Sequence, residues 1–133
     1  MVFKRFFLIL IPLALLFSCT PTDRFTLVLQ NKTNRPNHEP LYLNELSGAI
    51  ERVQLIAIND NAQSSFKGET VGTVGFNVTF EDVDYAGTTP IALELNESYL
   101  LTFRYSDVDA IPLKCQFSLS DGTDQFIDLA IVP

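Results

Sequence analysis

Two hydrophobic patterns divide the chain. An unbroken apolar run fills Phe6 to Phe17. From Phe25 onward apolar residues fall at alternate positions instead, as in strands with one buried and one solvated face. Phe25, Leu27 and Leu29 share a face of the first predicted strand. The polar stretch Asn31–Pro40, with prolines at Pro36 and Pro40, predicts a loop, and Leu41–Leu46 a second strand. Leu46, Ile50 and Val53 sit at helical spacing, whereas Gly48 and the run Val53–Ile58 favour a strand. We expect a strand there, with a short helical turn as the alternative. Asn59–Ser65 is expected to be a turn or loop. The cleanest alternation sets Val74, Phe76, Val78 and Phe80 against Thr73, Gly75, Asn77 and Thr79. Ile91, Leu93 and Leu95 predict another strand, joined by a tight Asn96-Glu97 hairpin to Tyr99, Leu101, Phe103 and Tyr105. Leu113, Cys115, Phe117 and Leu119 follow, then an Asp121-Gly122 pair suited to a type I′ turn, then a last strand carrying Ile127, Leu129 and Ile131.

Seven or eight short antiparallel strands, with turn signals roughly every eight to twelve residues, predict an all-β fold. The expectation is a single β-sandwich over residues 25–133, immunoglobulin-like or transthyretin-like, with a small barrel as the alternative.

The leader changes the picture. Lys4 and Arg5 precede the apolar run, which has twelve residues and includes Pro12. A membrane-spanning helix needs about 20 residues, so a run this short suits the middle of a secretory signal. Leu16-Phe17-Ser18-Cys19 closes it. These residues resemble a bacterial lipoprotein signal peptide and its lipobox, with Leu at −3, a small residue at −1 and Cys at +1; Phe17 at −2 is bulkier than that family usually shows. The resemblance implies that residues 1–18 are removed and that Cys19 carries a diacylglycerol and an N-acyl chain, several lipid chains being what stable anchoring needs. Thr20 in place of Asp at +2 implies sorting to the outer membrane. Residues 19–24 are then the lipidated cysteine and a short tether, and Thr20–Asp23 reaches about 14 Å fully extended.

Charge and cysteine content narrow the partners. The formal net charge is −7, and losing Lys4 and Arg5 with the leader takes it to −9. No cluster of Lys or Arg is present to neutralise phosphates, so nucleic acid is not an expected partner and the lipid must do the anchoring. Cys19 and Cys115 are the only cysteines, so a lipidated Cys19 leaves no intramolecular disulfide.

Candidate chemistry is sparse. His38, in Asn37-His38-Glu39-Pro40, is the single histidine. It has no second His for zinc and no serine in a Gly-x-Ser-x-Gly context, and we read it as a solvated loop residue. Cys115 shares a strand face with Leu113, Phe117 and Leu119 and is read as core. No enzyme is expected and no catalytic residue is assigned. Glu81–Gly87 opens like a calcium loop, but Ala86 and Leu93 stand where oxygen ligands are needed. Asp82, Asp84, Asp107 and Asp109 are therefore only weak candidates for Ca²⁺, alongside Asp121 and Asp124 at a third turn; turn-forming and edge-solubilising roles account for the same residues. Sequons at Asn31, Asn77 and Asn96 are read as coincidental. Tyr42, Tyr85, Tyr99 and Tyr105 have tips suited to a sugar or peptide surface, but the absence of Trp and of visible clustering favours core-edge positions.

The early strand, the Asn37–Pro40 loop leading into Leu41-Tyr42, and Tyr105-Ser106-Asp107-Val108-Asp109 are similar to the outer-membrane lipoproteins of type VI secretion systems. That family's transthyretin-like sandwich recruits an inner-membrane partner. Its charged, Trp-bearing segment is not reproduced at Ile111–Lys114, so no binding residues are carried over. The expected function is a non-enzymatic, membrane-anchored lipoprotein of the bacterial envelope that binds another envelope protein as an assembly or accessory module. The alternative is a sandwich lipoprotein that binds a glycan or Ca²⁺.

Overall fold

The computed structural model describes residues 23–50, 53 and 55–133, so the leader, the lipobox and Cys19 lie outside the described residues. Ten strands follow one another: β1 (Phe25–Asn31), β2 (Leu41–Gly48), β3 (Ile56–Ile58), β4 (Gln63–Gly68), β5 (Val74–Phe80), β6 (Val83–Thr88), β7 (Ser98–Tyr105), β8 (Leu113–Leu119), β9 (Asp124–Ile127) and β10 (Ala130–Ile131). They form two five-stranded sheets, β4-β1-β7-β8-β9 and β10-β6-β5-β2-β3, packed as a β-sandwich. There are more strands than expected, and one pairing departs from the antiparallel rule: β1 runs parallel to β7.

The period-two residues make the core. Phe25, Leu27 and Leu29 of β1, Val74, Val78 and Phe80 of β5, and Leu101 and Phe103 of β7 are fully buried. Phe76 meets Phe103 across the sheets edge-to-face at 5.7 Å, and Phe80 meets Tyr105 at 5.5 Å. In β2 the inward positions are Leu41, Leu43 and Leu46, because a bulge between Leu43 and Glu45 shifts the register. Such a bulge adds one residue and resets the phase of the alternation. This accounts for the helical spacing at Leu46: no helix occurs among the described residues, and Val53 makes an isolated bridge to Leu46.

Several local expectations are corrected. Gln63, Ser64 and Ser65 belong to β4, and only Asn59–Ala62 turns. The Glu81–Gly87 run is a hairpin in which Glu81 and Asp82, both at positive φ, join Phe80 to Val83 and lead into β6. Two residues at positive φ match the right-handed twist of the flanking strands. Ile91, Leu93 and Leu95 form no strand; Leu93 is buried and bridges Gly72, whereas Ile91 is exposed. Asn96-Glu97 is accordingly no hairpin: Asn96 donates to the Arg24 carbonyl and Thr26 to that of Glu97, steering the chain into the parallel β7. At Asp121-Gly122 only Gly122 has positive φ, and its N–H donates to Leu119. The link is thus a three-residue loop closing on an αL glycine. The last expected strand divides at Asp128-Leu129, where the chain crosses from the first sheet to the second.

Gly68 shows how tightly β4 packs against Phe25, its neighbour in the same sheet. A Cβ there would lie 2.1 Å from Phe25 Cζ and 2.9 Å from the Ala49 carbonyl oxygen. Gly68→Ala should therefore lower unfolding stability by about 1–3 kcal/mol, the usual range for overpacking, as measured by urea denaturation.

Candidate functional site at the loop pole

The strand directions collect the loops into two poles. β1 and β7 both run towards the pole where the β1–β2 loop, the β3–β4 turn, the Glu81-Asp82 turn and the β7–β8 loop meet. Phe25, where the chain enters the sandwich, lies at the opposite pole. Asn31 ends β1 at the loop pole and is completely buried. Its amide donates to the Ile58 carbonyl at 3.0 Å and to that of Glu39 at 3.3 Å, while its oxygen accepts from the Thr33 N–H and hydroxyl. One buried side chain therefore ties the β1–β2 loop to the other sheet.

Arg35 is the centre of this pole. Its Nε donates to Glu81 Oε1 at 2.6 Å, and its Nη1 donates to both oxygens of Asp107 at 3.0 and 3.2 Å. The guanidinium lies 4.1 Å from the centroid of the Tyr105 ring. Planar guanidinium suits this combination of carboxylate fork and aromatic face better than an ammonium would. The Glu81 hydrogen bond, more than the Asp107 contacts, pushes the Arg35 pKa up. Burial, the largest influence, with the Glu81 charge next, raises that of Tyr105.

The β7–β8 loop is held from both sides. Asp107 grips Arg35, Asp109 pairs with Lys114 at 3.6 Å, and the Ser106 N–H donates to the Pro112 carbonyl at 2.9 Å. Between the two aspartates Val108 projects outward, 93% exposed. A fixed backbone carrying a bare apolar side chain has the form of a preorganised contact point, because little further ordering is needed when a partner closes on it.

The weak metal candidates occupy separate positions. Asp82 is exposed in its turn; Asp84, on β6, accepts from the Thr79 hydroxyl; Asp107 and Asp109 are in the ion pairs just described. Asp121 accepts from the Thr123 N–H at the opposite pole, which pulls its pKa down, and Asp124 opens β9. No group of three His, Cys, Asp or Glu side chains suited to a metal ion occurs among the described residues. The acidic strand ends do converge in part, but the pair that meets, Glu81 and Asp107, meets on Arg35.

His38 is exposed at positive φ, and its Nδ1 lies 2.9 Å from Asp60 Oδ2. Cys115 is fully buried, and burial pushes its thiol up. Tyr85 and Tyr99 are buried, Tyr105 is half-buried and Tyr42 exposed, so the four make no shared platform. Sequence reading assigned no role to Arg35 or Val108. The signal for Arg35, two acidic strand ends opposite one loop arginine, spans 46 and 72 residues and is invisible to local pattern.

No family model, curated protein or solved structure matches the chain. No helix among the described residues is long and apolar enough to cross a membrane.

Asp60 gives this pole a pH dependence. Its side chain is only 5% exposed. The His38 ring, followed by the Asn34 N–H, holds its carboxyl below the usual range against the opposing effect of burial. A carboxyl lowered in the folded state stabilises above its unfolded pKa of about 3.9, and that stabilisation is lost as pH falls through the lowered folded value. Asp60→Asn should therefore flatten the acid limb of a Tm-against-pH curve.

Proposed function

We propose that this protein is a non-enzymatic lipoprotein of the bacterial cell envelope, anchored in the outer membrane through lipid on Cys19, that binds another envelope protein through the loop pole. The leader and the Leu16–Cys19 motif support the anchor. The observation that carries the binding reading is the tip at Val108, apolar, 93% exposed and pinned by ion pairs at both neighbouring aspartates. Its position adds to the argument. The short tether leads into Phe25, and the seven residues of β1 separate that pole from the loop pole by about 20 Å at the usual strand rise. A lipid at Cys19 would hold the Phe25 pole against the leaflet and turn the Val108 pole towards whatever lies beyond it.

The glycan- or Ca²⁺-binding alternative has less support. Its carboxylates lie apart, or are already bonded to Arg35, Lys114 and Thr79.

A photo-crosslinker at position 108, compared with one at exposed Leu55, tests the reading in native membranes. One dominant envelope protein should crosslink at 108 and not at 55, and Cys19→Ala should lose both the N-terminal lipid mass and the crosslink. Crosslinking that is equal at the two positions, or indifferent to Cys19, would contradict it.

A further inference from the structure

The sandwich is open along one side. Where the chain crosses from β9 to β10, a groove of about 510 Å³ runs up to the base of the Val108 loop. Ile111, Leu113, Phe126 and Leu129 line it, with Asp128 and the Asp109–Lys114 ion pair. Phe126 is 65% exposed, and Ile131 on neighbouring β10 is also exposed.

The backbone beside this groove is unpaired among the described residues. β9 is an edge strand whose one partner is β8. The Leu119 N–H donates to the Thr123 carbonyl, which sets the alternation of the ladder. Gln125 and Ile127 accordingly turn their peptide groups towards β8, and Asp124 and Phe126 turn theirs outward. Edge strands are usually blunted by shortness, charged side chains, proline or a bulge. β9, Asp-Gln-Phe-Ile, is 4 residues long and carries Asp124, a charge that repels an acidic strand and admits a basic one.

Charge selects the occupant. Antiparallel pairing of two copies centred on Phe126 would set Asp124 opposite Asp128, between chains of formal charge −7. Like charges directly opposite are unfavourable, so the edge disfavours a second copy. A positively charged segment meets Asp124 and Asp128 favourably, Asp109 being paired with Lys114.

We propose that the β9 edge and its groove take an extended, basic segment of a partner protein, which adds as a strand beside Asp124–Ile127 and seats a large apolar side chain against Phe126 and Leu129. Strand addition of this kind draws affinity from main-chain hydrogen bonds and specificity from side-chain pockets. The inference rests on the reading of the chain as a protein-binding module and specifies the chemistry of its partner.

The test uses the full chain in detergent and two short synthetic peptides. Both alternate valine and threonine around a central phenylalanine; one has lysines at its ends, the other glutamates. The lysine-ended peptide should bind at least about tenfold more tightly, a difference that shrinks as salt screens the rim. It should also slow hydrogen exchange at the Asp124 and Phe126 amides. Phe126→Ala, at an exposed position that does not threaten folding, should weaken binding about tenfold, as loss of an aromatic anchor does. Equal binding of the two peptides, or protection confined to other strands, would overturn the proposal. So would concentration-dependent protection of β9 without peptide, which would identify a second copy as the occupant. If a partner crosslinks at position 108 and the lysine-ended peptide fails, this inference falls and the envelope reading stands; peptide binding without any crosslinked partner supports the edge and removes the Val108 pole.

Discussion

The parallel pairing of β1 with β7 is the constraint on which the rest depends. It joins residues more than 70 positions apart, from Thr26 with Ser98 to Asn31 with Phe103. A parallel pair cannot be closed by a tight turn. Here the intervening chain supplies β4 for the other edge of β1 and most of the second sheet. With β1 flanked on both edges, its inward residues Phe25, Leu27 and Leu29 reach zero exposure. The same pairing sets the polarity of the molecule, because β1 and β7 then deliver their following loops to one pole.

At that pole, geometry matters more than stability. Exposed ion pairs contribute little to folding, with a typical range of about 0–1 kcal/mol. Arg35 nevertheless joins the β1–β2 loop, the β5–β6 turn and the β7–β8 loop, which come from both sheets. Its carboxylate partners and the Tyr105 face fix where Asp107 lies, and hence where Val108 points. The buried Asn31 does similar work beneath, through four hydrogen bonds, one to β3 of the other sheet and three to the β1–β2 loop. A pole braced in this way is suited to offering a defined surface, which is the role we propose for it.

The sandwich was legible because its central strands obey a simple rule. In β5 every second residue is large, apolar and buried, and in β8 the alternating Leu113, Cys115 and Phe117 are buried while Leu119 is half-buried. β4 escaped detection because an edge strand needs few inward anchors; Phe66 and Gly68 are its buried positions among Gln63, Ser64, Ser65 and Lys67. Ile91, Leu93 and Leu95 misled for the opposite reason. Their alternation is real, but only Leu93 is fully buried, and the backbone leaves strand geometry between Pro90 and the positive φ of Asn96. At the β5–β6 hairpin, Asp82 and Asp84 resembled ligands and hid a two-residue turn, since neither Glu81 nor Asp82 is followed by the glycine that usually marks one. The Arg35 cluster stayed out of reach because its members become neighbours only when the two sheets close.

The most direct test of the account is the orientation of the domain on the membrane to which we propose it is anchored. With Cys115 buried and Cys19 proposed to carry the lipid, single cysteines at positions 71 and 108 can be spin-labelled in turn, each on an exposed valine at one pole. Relaxation by paramagnetic headgroups should be strong at 71 and weak at 108 in the processed, bilayer-bound protein. Equal relaxation at the two sites, or stronger relaxation at 108, would contradict the claim that the protein is held at its Phe25 pole and presents Arg35, Val108 and the neighbouring groove away from the leaflet.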